Sequence, residues 1–119
     1  MSAQDISHQF LAHYYDKLST DRNQLAFLYT PTSTLTWETK KAQGVEQIMA
    51  IHNSNPANVQ RQLTSIDAQP TPGDGILILA TGNLSIDGDK ALKFTQVFFL
   101  VRTGGSFSIS NEFMRLNLE

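Results

Sequence analysis

Three segments of the chain carry apolar residues at the three- and four-residue spacing of an amphipathic helix. These residues are Ile6, Phe10, Tyr14 and Leu18, then Leu25, Leu28 and Tyr29, then Val45, Ile48, Met49 and His52. They predict a first helix over residues 4–18, a short second helix ended by Pro31, and a third helix after Gly44. Asp21, three residues before Gln24, is expected to start the second helix with a capping box.

Beyond Val59 the chain alternates with period two, which is typical of β-strands. Three clusters of turn-forming residues interrupt this pattern, at 70–75, 87–89 and 103–105. The second half of the chain is therefore predicted to form four antiparallel strands in a meander. The polar segment 53–58, which precedes them, is expected to be an exposed loop.

A shorter strand-like run, residues 33–38, lies between the second and third predicted helices and contains the only tryptophan. Leu35 and Trp37 share one face of this strand, and Glu38 follows directly. Residues 40–43 are expected to pair with it as a hairpin. A large ring followed at once by a carboxylate indicates the lip of a cavity.

This order of elements predicts an α+β cone, in which three helices pack on a strongly bent, mainly antiparallel sheet that encloses an apolar cavity. We expect one domain over residues 1–119. In the strands over 76–86 and 92–101 both faces are largely apolar. The helices cover only one face, so a second copy of the chain is expected to cover the other, giving a homodimer.

Composition narrows the functional classes. The 119 residues include no cysteine, which leaves no disulfide framework and no thiolate chemistry. The formal net charge of −2, with scattered basic residues, argues against a nucleic-acid partner. No apolar run is long enough for a membrane span, and the first ten residues lack the features of a signal peptide. We therefore expect a protein of the cytosol or of a compartment continuous with it.

The histidines do not form a metal site in the sequence pattern. His8 and His13 are five residues apart and share a helix face poorly, while His52 lies in the third helix. There is also no glycine-rich phosphate loop between a strand and a helix. We expect no metal and no cofactor.

Two kinds of chemistry remain open from the residues alone. Tyr14 could stabilise an oxyanion while Glu38 or Asp67 takes a proton, which would suit an isomerase or a dehydratase. Alternatively, Glu38 and the hairpin acids Asp87 and Asp89 could surround an apolar hollow. Such a hollow would suit a basic protein partner that inserts an aromatic side chain.

Seven blocks resemble the nuclear transport factor 2 family, in the family's order and over nearly the whole chain. They are residues 10–15 (FLAHYY), 21–25 (DRNQL), 35–38 (LTWE), 43–44 (QG), 67–70 (DAQP), 94–98 (FTQVF) and 111–116 (NEFMRL). The resemblance implies a homodimeric carrier without enzymatic activity. It also implies two kinds of partner, the GDP form of the small GTPase Ran and the phenylalanine-glycine repeats of nucleoporins. The implied location is the cytoplasm and nucleus, with enrichment at the nuclear pore.

The resemblance also implies particular binding residues. The acids expected to meet lysines of the GTPase are Glu38, Asp87 and Asp89. The residues expected to line the hollow that receives an aromatic side chain are Trp37, Val59, Leu92 and Phe113.

Three positions depart from the family pattern. Ala3 stands where the family usually has an aromatic residue implicated in repeat binding. The 53–58 loop is polar where relatives carry apolar residues, which predicts a thinner pocket wall. Arg61 stands where relatives often place histidine, and we expect it to pair with Glu38. Two alternatives therefore stay open, a cone-fold enzyme that uses Tyr14 and Glu38, and a plain dimerisation or peptide-binding module.

Overall fold

The structure is a computed structural model that describes residues 1–117. In chain order its elements are α1 (Ala3–Thr20), a 3₁₀ helix (Arg22–Leu28), β1 (Tyr29–Trp37), β2 (Lys40–Gln43), α2 (Val45–Ser54), β3 (Val59–Thr71), β4 (Gly75–Ile86), β5 (Leu92–Thr103) and β6 (Ser106–Asn117). These are three helices packed on one six-stranded sheet, so the predicted α+β cone is confirmed.

The strand order in the sheet is β2-β1-β6-β5-β4-β3. The four long strands pair in sequence as antiparallel neighbours, which confirms the predicted meander. β1 joins the sheet beside β6 and runs parallel to it. Because of this one parallel pairing, the first strand of the chain lies next to the last, and the Trp37 end of β1 is placed beside Met114.

The first helix is longer than predicted because Ser2 caps it. The Ser2 hydroxyl accepts from the Asp5 amide at 3.1 Å, and the Asp5 carboxylate accepts from the Ser2 amide at 3.2 Å. This reciprocal pair satisfies two amides at the helix start. The capping box expected at Asp21 is wrong, because the Asp21 side chain makes no cap bond. The Asp21 amide instead donates to the carbonyl of Lys17 at 2.9 Å and closes α1.

β1 begins earlier than the predicted strand and contains Pro31. The pairing of β1 with β6 shifts register between Tyr29 and Thr34, and Pro31 is exposed within this irregular stretch. A proline is tolerated there because it interrupts no regular ladder bond. The Ser33 hydroxyl donates to the carbonyl of Ile109 at 2.5 Å and helps to hold the two strands together.

The core lies between the helices and the concave face of the sheet. Tyr14 of α1 packs edge-on against Phe98 of β5, with ring centroids 5.0 Å apart, and both side chains are fully buried. The convex face, which no helix covers, is apolar as well. Leu77, Leu79 and Phe113 are 41%, 40% and 52% exposed there.

Candidate functional site

A cavity of about 230 Å³ opens at the end of the cone where β1 stops. Its walls are the β1–β2 turn, the loop after α2, and the concave faces of β3, β4 and β6. The lining residues are Trp37, Glu38, Thr39, Lys40, Asn55, Pro56, Val59, Arg61, Leu84, Ile86, Met114 and Leu116. The cavity thus lies where the tryptophan and its following carboxylate indicated.

Trp37 and Glu38 form one wall of this cavity. Trp37 is 8% exposed, and its ring meets the buried imidazole of His52 edge-on at 5.2 Å. Glu38 has a positive φ of 58°, and its amide donates to the carbonyl of Met114 at 2.8 Å. The Glu38 carboxylate accepts from the amide of Leu116 through Oε1. One carboxylate oxygen is therefore held against β6, and Oε2 is the atom left for a partner.

Asp87 and Asp89 lie in the exposed turn between β4 and β5, and they do not line the cavity. The residue before them, Ile86, does line it, so the turn begins at the cavity rim. The Asp87 amide donates to the carbonyl of Asn58 at 2.9 Å, which ties the turn to the start of β3. The structure brings both acids to the same end of the sheet as Glu38, as rim residues.

Of the four residues expected to line the hollow, Trp37 and Val59 do so. Leu92 is half-buried on the concave face, where it pairs with the lining residue Leu84. It therefore lies beside the cavity without contributing to its wall.

The expectation for Phe113 is wrong. Glu112 and Met114, its neighbours in β6, are buried on the concave side, and side chains alternate along a strand. Phe113 consequently points to the convex face, where it is 52% exposed. The residue of β6 that lines the cavity is Met114.

The expected pairing of Arg61 with Glu38 is also wrong. Among residues 1–117 the ion pair within range joins Lys17 to Asp16 at 3.8 Å. Arg61 instead lies over the ring of Tyr15, with its guanidinium carbon 5.9 Å from the ring centroid. Burial lowers the pKa of Arg61 from its ordinary value.

The 53–58 loop contributes Asn55 and Pro56 to the wall, and Arg22 holds it in place. The Arg22 guanidinium donates to the carbonyl of His52 at 2.6 Å, to that of Asn55 at 2.8 Å, and to that of Pro56. These carbonyls lie at the end of α2, where helix groups lack intrahelical partners. Arg22 thus fixes the position of the polar loop in the cavity wall, because its guanidinium bonds backbone carbonyls of that loop.

A buried polar cluster lies behind Trp37. Tyr14 and Tyr29 each donate to the carboxylate of Glu112 at 2.5 Å, and Gln96 donates to it at 2.7 Å. The Tyr29 oxygen also lies 2.9 Å from His52 Nε2. Because Tyr29 donates its single hydroxyl proton to Glu112, its oxygen accepts a hydrogen bond from His52. The proton of the neutral imidazole is therefore on Nε2, and Nδ1 carries none.

Burial sets the protonation of this cluster. It lowers the pKa of His52 to about 4, with Arg22 and Arg61 acting in the same direction, so the imidazole is neutral near pH 7. Burial also raises the pKa of Glu112, against the effect of its three hydrogen-bond donors. The pKa values of Tyr14 and Tyr29 are raised well above normal, first by burial and then by Glu112.

The enzyme arrangement considered from the sequence is not assembled. Tyr14 is fully buried, donates to Glu112 and does not line the cavity, whereas Glu38 lies at the rim. Asp67 pairs with Leu79 in the sheet and is exposed. Tyr14 faces the core because it lies in the buried stripe of α1, so its hydroxyl does not reach the space that Glu38 borders.

Within residues 1–117 no group of three or more histidine, aspartate or glutamate side chains could hold a metal ion. The same residues contain no helix long and apolar enough to cross a membrane.

Several lining residues escaped the sequence reasoning. Leu84 and Ile86 lie two apart in β4, as do Met114 and Leu116 in β6, so period-two alternation places each pair on one face. This alternation shows that the two residues of each pair lie on one face of the sheet, but it does not show which face is concave. No sequence pattern placed Asn55 in the cavity wall, because its position depends on a hydrogen bond from Arg22, which is distant in the chain.

Residues 6–116 match the family described as nuclear transport factor 2 (NTF2) domain. A nuclear transport factor 2 from Eremothecium gossypii is 41% identical over 115 residues, which cover 94% of this chain and 92% of the relative. The chain belongs to the nuclear transport factor 2 family. Its relatives carry the name of a transport factor, not of an enzyme.

Solved structures with similar folds agree with this assignment. That of nuclear transport factor 2 from Cryptosporidium parvum has a TM-score of 0.92 and 43% identity, and the match covers 97% of this chain and 94% of that one. The yeast UBP3-associated protein BRE5 has a TM-score of 0.90 and 33% identity, over 100% of this chain and 99% of that one. The fold thus also occurs in a protein whose name states association with UBP3.

Proposed function

We propose that this chain is a nuclear import carrier that binds the GDP form of the small GTPase Ran and contacts phenylalanine-glycine repeats of nucleoporins. It acts without catalysis, in the cytoplasm and nucleus, and is enriched at the nuclear pore. The domain spans residues 1–119. The observation that carries the proposal is an apolar cavity walled by Trp37 and Glu38 in a chain 41% identical to a nuclear transport factor 2 over nearly its whole length.

The cavity provides a binding space for an aromatic side chain of the GTPase. Its apolar wall includes Trp37, Val59 and Met114, which suits a ring from the switch region of the GTPase. Burying one phenylalanine contributes about 1.5–3 kcal/mol, which is too little for a specific complex once association costs are included. Charged contacts therefore have to supply the discrimination.

The rim provides those charges. Glu38 Oε2 is the carboxylate oxygen not used by Leu116, and Asp87 and Asp89 are exposed beside the rim residue Ile86. These acids bind lysines of the GTPase. Only a switch conformation that presents the ring and the lysines together makes both kinds of contact, which gives the preference for the GDP form.

A second copy of the chain covers the convex face. The strand register places Leu77 opposite Phe99, Leu79 opposite Val97, and Val97 opposite Phe113. These five side chains form one apolar patch across three strands, and patches of this kind mark interaction surfaces. The homodimer leaves the cavity free, because the patch and the cavity lie on opposite faces of the sheet.

A capture experiment with purified GTPase tests the carrier proposal. The chain is expected to bind GDP-loaded Ran and not the GTP-loaded form. Glu38→Lys should weaken binding about 30-fold or more, since truncating one partner of a desolvated charge pair costs about 2–5 kcal/mol. Glu46→Lys changes a glutamate of α2 that does not line the cavity and should bind as the wild type does. Equal capture of both nucleotide states, or an unaffected Glu38→Lys variant, would overturn the proposal.

The similarity to BRE5 over the whole chain supports one second candidate, a protein-interaction module that does not bind Ran. Such a module would bind phenylalanine-glycine peptides or another protein while ignoring both nucleotide states of the GTPase. The same capture experiment, extended to repeat peptides, separates the two candidates.

A further inference from the structure

One cation in the cavity wall has no acidic partner in the described part of the chain. The Arg61 guanidinium is joined to no acceptor of residues 1–117 by a hydrogen bond or an ion pair; its neighbour is the Tyr15 ring. Arg61 lines the cavity and is half-buried, so its charge is only partly hydrated. Burying a charge without a partner costs free energy, so this position favours an acceptor brought by a ligand.

The charge of the cavity wall also favours an anionic ligand. The lining residues include two cations, Arg61 and Lys40, and one acid, Glu38. One oxygen of that acid is already occupied by the amide of Leu116. Burial lowers the pKa of Arg61, yet an arginine keeps its charge in proteins, so the wall carries an incompletely solvated cation. The cavity is therefore complementary to an anion.

The acids of the chain itself do not meet this need. Besides the cavity, Arg61 borders a hollow under α1 that Asp16 also lines. The Asp16 carboxylate, however, lies 3.8 Å from Lys17 Nζ and forms no ion pair with Arg61. Since neither Glu38 nor Asp16 forms an ion pair with Arg61 in the described chain, the guanidinium is open to an anion from outside.

We propose that the cavity is a binding site for small aromatic monocarboxylates. The ring lies against Trp37 and Met114, and the carboxylate accepts from the Arg61 guanidinium. A planar guanidinium matches a carboxylate with two parallel hydrogen bonds, which gives orientation as well as affinity. A concave, mainly apolar space with a few convergent polar groups is the usual form of a small-molecule site. A bound acid would compete with an aromatic side chain for the same space.

Calorimetric titration of the chain alone tests this site. The probes are indole-3-acetate and its neutral isostere indole-3-acetamide, which differ in charge and little in shape. The acid is expected to bind about tenfold more tightly than the amide, because hydrogen bonds to charged groups are the stronger ones. In Arg61→Met that ratio should fall to about one, with the amide still bound.

Arg102→Met is the matched control, because Arg102 also stacks on a ring, that of Phe107 at 4.5 Å, but lies outside the cavity. It should keep the wild-type ratio. The proposal is overturned if neither probe saturates the wild-type chain, if the two bind equally, or if Arg61→Met keeps the preference for the acid. Should Arg61→Met fail to fold, the wild-type ratio decides the question.

The GTPase takes no part in this titration. Failure of the acid to bind therefore leaves the carrier proposal standing, and failure of the Ran capture leaves this site standing.

Discussion

Arg22 donates a hydrogen bond of 2.8 Å to the backbone carbonyl of Asn55, and so joins the 3₁₀ helix to the wall of the cavity. The same nitrogen donates to the carbonyl of His52 at 2.6 Å, at the end of α2. A polar, turn-rich loop is thereby held in one position next to Trp37. The shape of the site depends on a residue that does not itself line the cavity.

Arg22→Met should lower the free energy of unfolding by about 1–3 kcal/mol, because partly buried carbonyls lose a charged donor. Urea denaturation measures this change, and faster amide hydrogen exchange over residues 53–58 should accompany it. Arg115→Met, at an exposed arginine of β6, serves as the control and should have little effect. Unchanged exchange in that loop would show that Arg22 does not hold it.

Glu112→Ala should destabilise the chain by about 3 kcal/mol or more, because the buried hydroxyls of Tyr14 and Tyr29 would lose their acceptor. Glu112→Gln keeps the shape and one acceptor oxygen, so its cost should be smaller. Chemical denaturation of both variants checks the order. A double-mutant cycle with Tyr14→Phe should show coupling, and strictly additive costs would contradict a connected cluster.

Stability should decrease as the pH falls from about 6.5 to about 4, on account of His52. The folded-state pKa of His52 is lowered to about 4 from 6.5, so in this window the unfolded chain binds a proton that the folded chain does not. At about 1.4 kcal/mol per pH unit, the loss is about 3 kcal/mol. Thermal unfolding midpoints across this range measure it.

Comparison with variants isolates the His52 contribution. Glu112 has the opposite effect on stability. Its pKa is raised in the folded chain, so stability decreases as the pH rises above the ordinary pKa of a glutamate. His52→Gln retains a donor for Tyr29 and should flatten the decrease at low pH. His13→Gln, at an exposed histidine, should leave it unchanged. An equally steep decrease in His52→Gln would assign the effect to other groups.

Phe113→Asp should convert the proposed homodimer into monomers, since it places a charge in the apolar patch of the convex face. Sedimentation velocity should then give a mass near that of one 13.3 kDa chain instead of two. Phe27→Asp makes the same change at a phenylalanine that is 81% exposed in the 3₁₀ helix, outside the patch. That variant should remain dimeric. A dimer that persists in Phe113→Asp would place the interface elsewhere.

Much of the architecture followed from local pattern. The 3.6-residue period of α1, the alternation of the four long strands and the Asp87–Asp89 turn all reflect which side chains neighbour each other along one element. The Trp37-Glu38 step indicated the cavity because a ring and an acid there occupy adjacent positions at a strand end. Phe113 was misplaced because alternation shows that Phe113 and Met114 face opposite ways, but not which way is inward.

The sequence by itself determined the cone of three helices and a meander and the position of the cavity lip, because these depend on short-range periodicity and turn chemistry. It also indicated the family, through seven blocks of residues that resemble the family's pattern. Only the tertiary structure decided which face of β6 is concave, that Arg22 holds the 53–58 loop, and that Arg61 lies beside Tyr15 without a carboxylate partner among residues 1–117. These features depend on contacts between residues far apart in the chain. Such contacts arise from the curvature of the sheet and the packing of α1 and α2 on it, which no local pattern encodes.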